Sequence, residues 1–180
     1  MKYLRLTILP LLFLLILTYS CRKENDKLPP ETQEGKNTFG CLVNNNLWLK
    51  GGGLSYPYSN LSIFIDKNFF SINALKIGDQ TNQTVNLYIH SPLNVGIYNL
   101  NNYNHLGRFL DKIDNCYYKT DSLSATGTLE ITKYDTINKI VSGLFNFKAL
   151  KYNPDNNTII ENSDSSVQIT QGRFDIKYIQ

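Results

Sequence analysis

Residues 126–150 read TGTLEITKYDTINKIVSGLFNFKAL. In the first half, Leu129 and Ile131 alternate with Thr128, Glu130 and Thr132. Asp135 to Asn138 then turns the chain. In the second half Val141, Phe145, Phe147 and Ala149 fall on one face of a long run from Ile140 to Leu150. A strand sends successive side chains to opposite faces, so this period of two predicts two half-buried strands joined by a turn.

The same signal spreads outward in both directions. Ser166 to Thr170 and Arg173 to Ile179 read as the last strands, with Phe174, Ile176 and Tyr178 on one face. Upstream, Thr84 to Ser91 alternates Val85, Leu87 and Ile89 with Asn86, Tyr88 and His90. Leu61 to Asp66 and Phe69 to Leu75 read as strands about a Lys67-Asn68 turn, and Thr38 to Val43 and Leu47 to Leu49 as a hairpin about Asn44-Asn45-Asn46. Val95 to Leu100 and Asn115 to Thr120 are short strands; His105 to Ile113 holds a helical turn or two. Roughly ten strands without a long helical pattern predict an all-β fold. An antiparallel β-sandwich is the expected form, with an antiparallel β-barrel as the alternative.

The N-terminus has a different character. Met1, Lys2 and Arg5 precede an apolar run from Leu6 to Leu17, a positive start and short greasy core that predict a signal peptide over 1–20. The run is shorter than the roughly 20 residues a spanning helix needs. Leu17-Thr18-Tyr19-Ser20-Cys21 resembles a lipoprotein processing box, although Thr18 stands where an aliphatic residue is usual. The expectation is cleavage before Cys21 and lipidation of its thiol. Acyl chains on one cysteine, two or three of them, would hold the protein on a membrane. Arg22 to Asn37 carries many charges, two prolines and no aromatic residue, so residues 21–37 are predicted to be a flexible tether and 38–180 a single β-rich domain.

Charge and cysteines narrow the function classes. Without Lys2 and Arg5 the 18 basic residues become 16 against 15 acidic, a net charge of +1, which argues against a nucleic-acid partner. Cys41 and Cys116 remain after the anchor. In an oxidising compartment they would form a disulfide closing a loop of about 75 residues, contributing on the order of 4.5 kcal/mol. The alternative is two free thiols acting as small apolar residues.

Thr38-Phe39-Gly40-Cys41-Leu42-Val43-Asn44 with Trp48, Gly127 to Asp135 leading to Ile140 to Phe147, and Val167 to Asp175 together resemble an uncharacterised family of Bacteroidetes-type secreted lipoproteins. The chain differs at Asn45, where that family tends to have glycine. The resemblance implies a β-rich, lipid-anchored protein of the cell envelope, outer membrane foremost, and supplies no catalytic residue. In such bacteria Lys23-Glu24 with Asp26 resembles a surface-export signal; a charged periplasmic tether is the other reading. The resemblance also marks Ser122 and Thr136 as O-glycosylation candidates, in Asp121-Ser122-Leu123 and Asp135-Thr136-Ile137.

Little in the chain points to catalysis. His90 and His105 lie near no cysteine or carboxylate at metal-ligand spacing, so no metal or cofactor is expected. There is no Gly-x-Ser-x-Gly elbow and no phosphate-binding glycine loop. Asp155-Asn156-Asn157 reads as a turn and lacks the calcium-loop pattern. Asp66, Glu130, Asp135 and Asp175 are the carboxylates a hydrolase would draw on. Trp48, Tyr56, Tyr58 and Tyr103 lie near loops or strand ends, with Tyr117 and Tyr118. They would contact a sugar or a protein partner, or else fill the core. The expected function is a non-enzymatic binding or accessory module for glycan, peptide or envelope protein; the alternative is a polymer hydrolase with a carboxylate site.

Overall fold

A computed structural model describes residues 27–51, 60–101, 104–120, 126–160 and 165–179. The described residues form eleven strands: β1 (Thr38–Val43), β2 (Asn46–Leu49), β3 (Leu61–Asp66), β4 (Phe69–Gly78), β5 (Thr81–Ile89), β6 (Gly96–Asn99), β7 (His105–Asp111), β8 (Cys116–Lys119), β9 (Thr126–Asp135), β10 (Ile140–Lys151) and β11 (Ser166–Lys177). The protein is all-β and antiparallel. One sheet runs β2-β1-β11-β10-β8-β7-β5-β4-β3, with β9 paired to β10 and β6 to β9.

The sheet folds over at β10. Ile140 to Lys148 pairs with β9, and then Leu150 and Lys151 change partner to Lys119 and Tyr118 of β8. This divides the strands into layer I (β2, β1, β11, β10, β9, β6) and layer II (β3, β4, β5, β7, β8). Inward-facing residues of both layers, among them Phe39, Phe70, Leu87, Leu129, Phe145 and Phe174, make one core. At the far end the layers touch again: Gly51 N–H donates to Leu75 O at 2.9 Å and Ile77 N–H to Gly51 O at 2.8 Å. The architecture is therefore sandwich-like, with its outer strands bridged at one point.

Three local features differ from the sequence expectation. His105–Asp111 is a strand, not a helical turn. Leu106, Phe109, Leu110 and Ile113 mimic a helical period, but β5 and β8 flank the segment and claim its backbone groups on both sides. The two C-terminal strands are one, β11, bulged at Gln171, whose φ is 51°. Register slips at this bulge against both β1 and β10. Beside it, a Cβ on Gly172 would lie 2.4 Å from the Phe145 ring, so only glycine lets the ring pack flat on the strand. The β1–β2 turn at Asn44 and Asn45 has φ 47° and 65°, so two asparagines supply the left-handed pair a tight hairpin needs without the glycine usual at 45.

The largest difference lies before β1. Residues 27–37, expected to be free tether, are laid across the outer face of layer I as a strap. Phe174 and Ile176 face the core, so Asp175 between them points outward, yet it is only 1% exposed because the strap covers it. Asp175 accepts hydrogen bonds from Thr32 Oγ1 (2.6 Å), Glu34 N (3.0 Å), Gly35 N (2.8 Å), Lys36 N (3.2 Å) and Ser142 Oγ (2.8 Å). Successive backbone N–H groups make a natural anion cradle. Gly35 allows it, at φ 73° and close against Lys177 and Ile140. Composition predicts little apolar burial, and polar groups hold most of the strap, while Leu28 and Pro29 lie half-buried over Gly40.

Candidate functional site

The turn ends of β1–β2 and β7–β8 and the start of β5 surround a cavity of about 390 Å³ at the mouth of the sandwich. Ligand pockets run from roughly 300 to 1,000 Å³, so it is a small one. Its wall carries a hydrogen-bonded chain. Trp48 Nε1 donates to Gln83 Oε1 (3.1 Å), and Gln83 Nε2 donates to Asp111 Oδ2 (2.6 Å). The other carboxylate oxygen, Oδ1, accepts Ile113 N (3.2 Å) and Asp114 N (3.4 Å), which closes the β7–β8 turn. Each member orients the next: the indole fixes the amide, and the amide leaves its N–H for the carboxylate.

Other groups complete the mouth. Lys76, Asp114, Cys116 and Tyr118 line it. The Tyr118 hydroxyl is pushed up to about 12, first by burial, then by its contact with Cys116 and by the negative charges of Asp111 and Asp114. It therefore stays protonated at neutral pH. The result is a concave, mixed surface with an amide, a carboxylate, a phenol and an ammonium around an indole edge.

The aromatic candidates fare differently. Trp48 is 2% exposed and packs edge-on to Phe39 at 6.0 Å, so it is a core residue that presents only its N–H side to the mouth. It offers no open face for stacking. Tyr117 is half-buried on Tyr152 at 6.2 Å. Tyr56, Tyr58 and Tyr103 lie outside the described residues, as do Cys21 and Ser122.

Cys41 and Cys116 are free, not bridged. Cys41 faces the core from β1 opposite Trp48, and burial pushes its thiol up to about 12, against a smaller lowering by Lys76. Cys116 opens β8 in the other layer, half-exposed, and its Sγ donates to Asp114 O at 3.4 Å.

The four carboxylates named for a hydrolase do not converge. Asp66 caps its own turn through Lys67 N at 2.7 Å. Asp135 does the same with Ile137 N and Asn138 N at 3.1 and 2.8 Å, and Asn138 with its backbone and side-chain donors holds it below the usual carboxylate range. Glu130 is exposed on the outer face of layer I. For Asp175 burial alone would raise the pKa; donors from Thr32, Gly35, Ser142 and Glu34 overcome this and bring it to about 2. Thr136 sits exposed at the β9–β10 turn beside Ile137, which is 89% exposed, so an enzyme could reach it.

The histidines face away from the mouth chain. His90 is exposed against Phe69 at 4.8 Å. His105 meets Tyr98 at 5.3 Å; burial lowers its pKa, against a raising contact with Asn104 and with further lowering by His90. Among the described residues no group of three metal-ligating side chains forms. Asp155-Asn156-Asn157 is a turn as expected, and Asn157 O and Oδ1 accept the Lys119 ammonium at 3.2 and 2.9 Å. Lys119 is 2% exposed and lies 5.1 Å from the Tyr152 ring.

Sequence reasoning missed Gln83, Asp111 and Asp114. The signal for the last two was present: Asp111-Lys112-Ile113-Asp114-Asn115 has turn composition, which the helical reading hid. Gln83 precedes the clean alternation of its strand and carries no signal of its own.

Residues 60–175 match the family model described as Domain of unknown function (DUF6252), and the chain belongs to that family. No curated protein and no solved structure matches it. The matched span runs from the start of β3 into β11; β1, β2 and the strap precede it.

Proposed function

From that membership in a family without an assigned role, we propose that the protein is a lipid-anchored component of the cell envelope, on the outer membrane, whose domain binds a small polar ligand without transforming it. A saccharide fits best. The anchor reading is supported by the basic start, the short apolar run and Cys21 directly after Ser20. The binding reading is carried by one observation: the mouth's hydrogen-bonded chain leaves polar groups oriented at a cavity while its carboxylate is already engaged on both oxygens. A general acid or base needs a free proton site near a reacting bond. Asp111 is built as an acceptor, held by three donors. Saccharide recognition needs fixed donors and acceptors beside an apolar wall; Gln83 and Tyr118 supply polar groups, and Val43, Leu47 and Phe109 line the same cavity.

A second reading is favoured by one feature: Asp111 and Asp114 line the same cavity. Hydrolases set two carboxyl groups on either side of the scissile bond, about 5 to 9.5 Å apart. These two sit three residues apart on one rim. Titration calorimetry of the mature protein with neutral mono- and disaccharides and with short peptides separates the cases. The binding reading expects saccharide binding weakened at least about tenfold by Gln83→Ala, the loss of roughly 1.4 kcal/mol that one oriented hydrogen bond represents, with no product formed. Product that disappears in Asp111→Asn would establish the hydrolase; binding of peptides alone would replace the saccharide. Mass spectrometry of the native N-terminus tests the anchor, and proteolysis of whole cells tests which membrane face carries the domain.

A further inference from the structure

Resting on the lipid anchor proposed above, we infer that the strap is a short, directional mount that holds the outer face of layer I against an anionic membrane surface. The argument begins with reach. If residues 21–37 were free, the first strand could stand about 60 Å from the anchor; with the strap docked from Lys27, only six peptide steps separate it from Cys21, at most about 22 Å. The docking is firm because four donors of the strap, from Thr32, Glu34, Gly35 and Lys36, close on Asp175 and Asn37 Oδ1 accepts Lys177 N at 2.9 Å. Lys133 Nζ donates to Gln33 O at 2.9 Å and ties the strap to β9 as well. The face that carries the strap is thus the near face.

Charge on that face fits the partner. Of its acids, Glu34 is paired with Lys36 at 3.0 Å and Glu31 with Arg173 at 3.2 Å, and the ionised Asp175 lies covered under the strap. Exposed Lys27, Lys148 and Lys177 then outnumber the exposed Glu130 and the covered Asp175, which leaves the face positive. Lysines held within a Debye length of an anionic surface are attracted to it, and those beyond are screened. With a Debye length of about 8 Å, a leash of at most about 22 Å confines the face to within a few such lengths of the surface, which a free tether of about 60 Å would not.

The test uses the full-length lipidated protein in phosphatidylcholine vesicles with and without added phosphatidylglycerol. A fluorophore is placed at Asn146→Cys on the strap face or at Ser62→Cys on the outer face of layer II, each with Cys116→Ser. A quencher at headgroup level reports proximity. The mount predicts several-fold stronger quenching at 146 than at 62, increased by phosphatidylglycerol and equalised when Asp175→Asn with Thr32→Ala frees the strap. Circular dichroism checks that this double variant still folds, and the comparison of 146 with 62 stands without it. Acylated protein with equal or reversed quenching overturns the mount and leaves the anchor standing. A Cys21 found unacylated by mass spectrometry overturns both.

Discussion

Asp175 and Asp111 both collect backbone N–H groups and side-chain donors, yet they do opposite work. Asp175 lies on the outer face of β11, closed over by the strap, and takes five hydrogen bonds. Nothing else can reach it. Asp111 lies at the end of β7, half-exposed, and anchors a chain that ends at a cavity. A buried carboxylate that is saturated with donors stabilises structure. A partly exposed one that orients an amide beside empty space is available to organise a ligand. Burial and saturation, more than residue type, separate the two roles.

The comparison can be broken most forcefully at the clasp. Asp175→Ala removes the acceptor of Thr32, Ser142 and three amides at once, so it should cost about 4 kcal/mol in urea unfolding, as expected when several buried donors lose their partner. Close behind it, Gly172→Ala drives a Cβ into the Phe145 ring and shifts the strand that carries Asp175. About 3 kcal/mol of destabilisation is expected, typical of overpacking. Thermal unfolding of both variants checks the order.

Acid is a milder probe of the same contrast. The folded value of Asp175, about 2, lies below the ordinary 3.8. The clasp therefore contributes its full stabilisation above roughly pH 4 and loses it as pH falls toward 2, about 2 kcal/mol in all. Urea midpoints at pH 5 and pH 2.5 should diverge in the native protein, and less so in Asp175→Asn. The smallest stability effect belongs to the mouth. Gln83→Ala should cost only about 1 kcal/mol, because water in the open mouth can reach the groups it leaves, while saccharide binding weakens at least about tenfold. A loss at Gln83 as large as that at Asp175 would erase the distinction.

Much of the fold was legible because its strands obey a period of two. β9, β10 and β5 follow from Leu129 with Ile131, Phe145 with Phe147, and Val85 with Leu87, since one face of each must be buried. What stayed hidden depends on partners distant in sequence. The strap reads as tether because it has few apolar groups, and only the folded sheet brings Asp175, some 140 residues away, beneath its amides. The Cys41–Cys116 pairing was not legible either, because spacing does not say whether two side chains meet: Cys41 is buried in the core and Cys116 is half-exposed at the start of β8. β7 misread as helical because Leu106, Phe109 and Leu110 recur at helical spacing, whereas in the strand Phe109 faces the core and Leu106 and Leu110 lie on the opposite face. The mouth was only half visible: Trp48 was named as either a ligand contact or a core residue, and its ring is core while its N–H is the part in use.

Hydrogen exchange of individual amides tests the contrast most directly, because both aspartates are read by the N–H groups that bind them. The amides of Glu34, Gly35 and Lys36 should exchange only through global unfolding, while those of Ile113 and Asp114 should exchange far faster through local opening of the turn. If the strap amides exchanged as fast as the turn amides, the clasp would be a surface contact, and the account of a docked strap and an open mouth would be wrong.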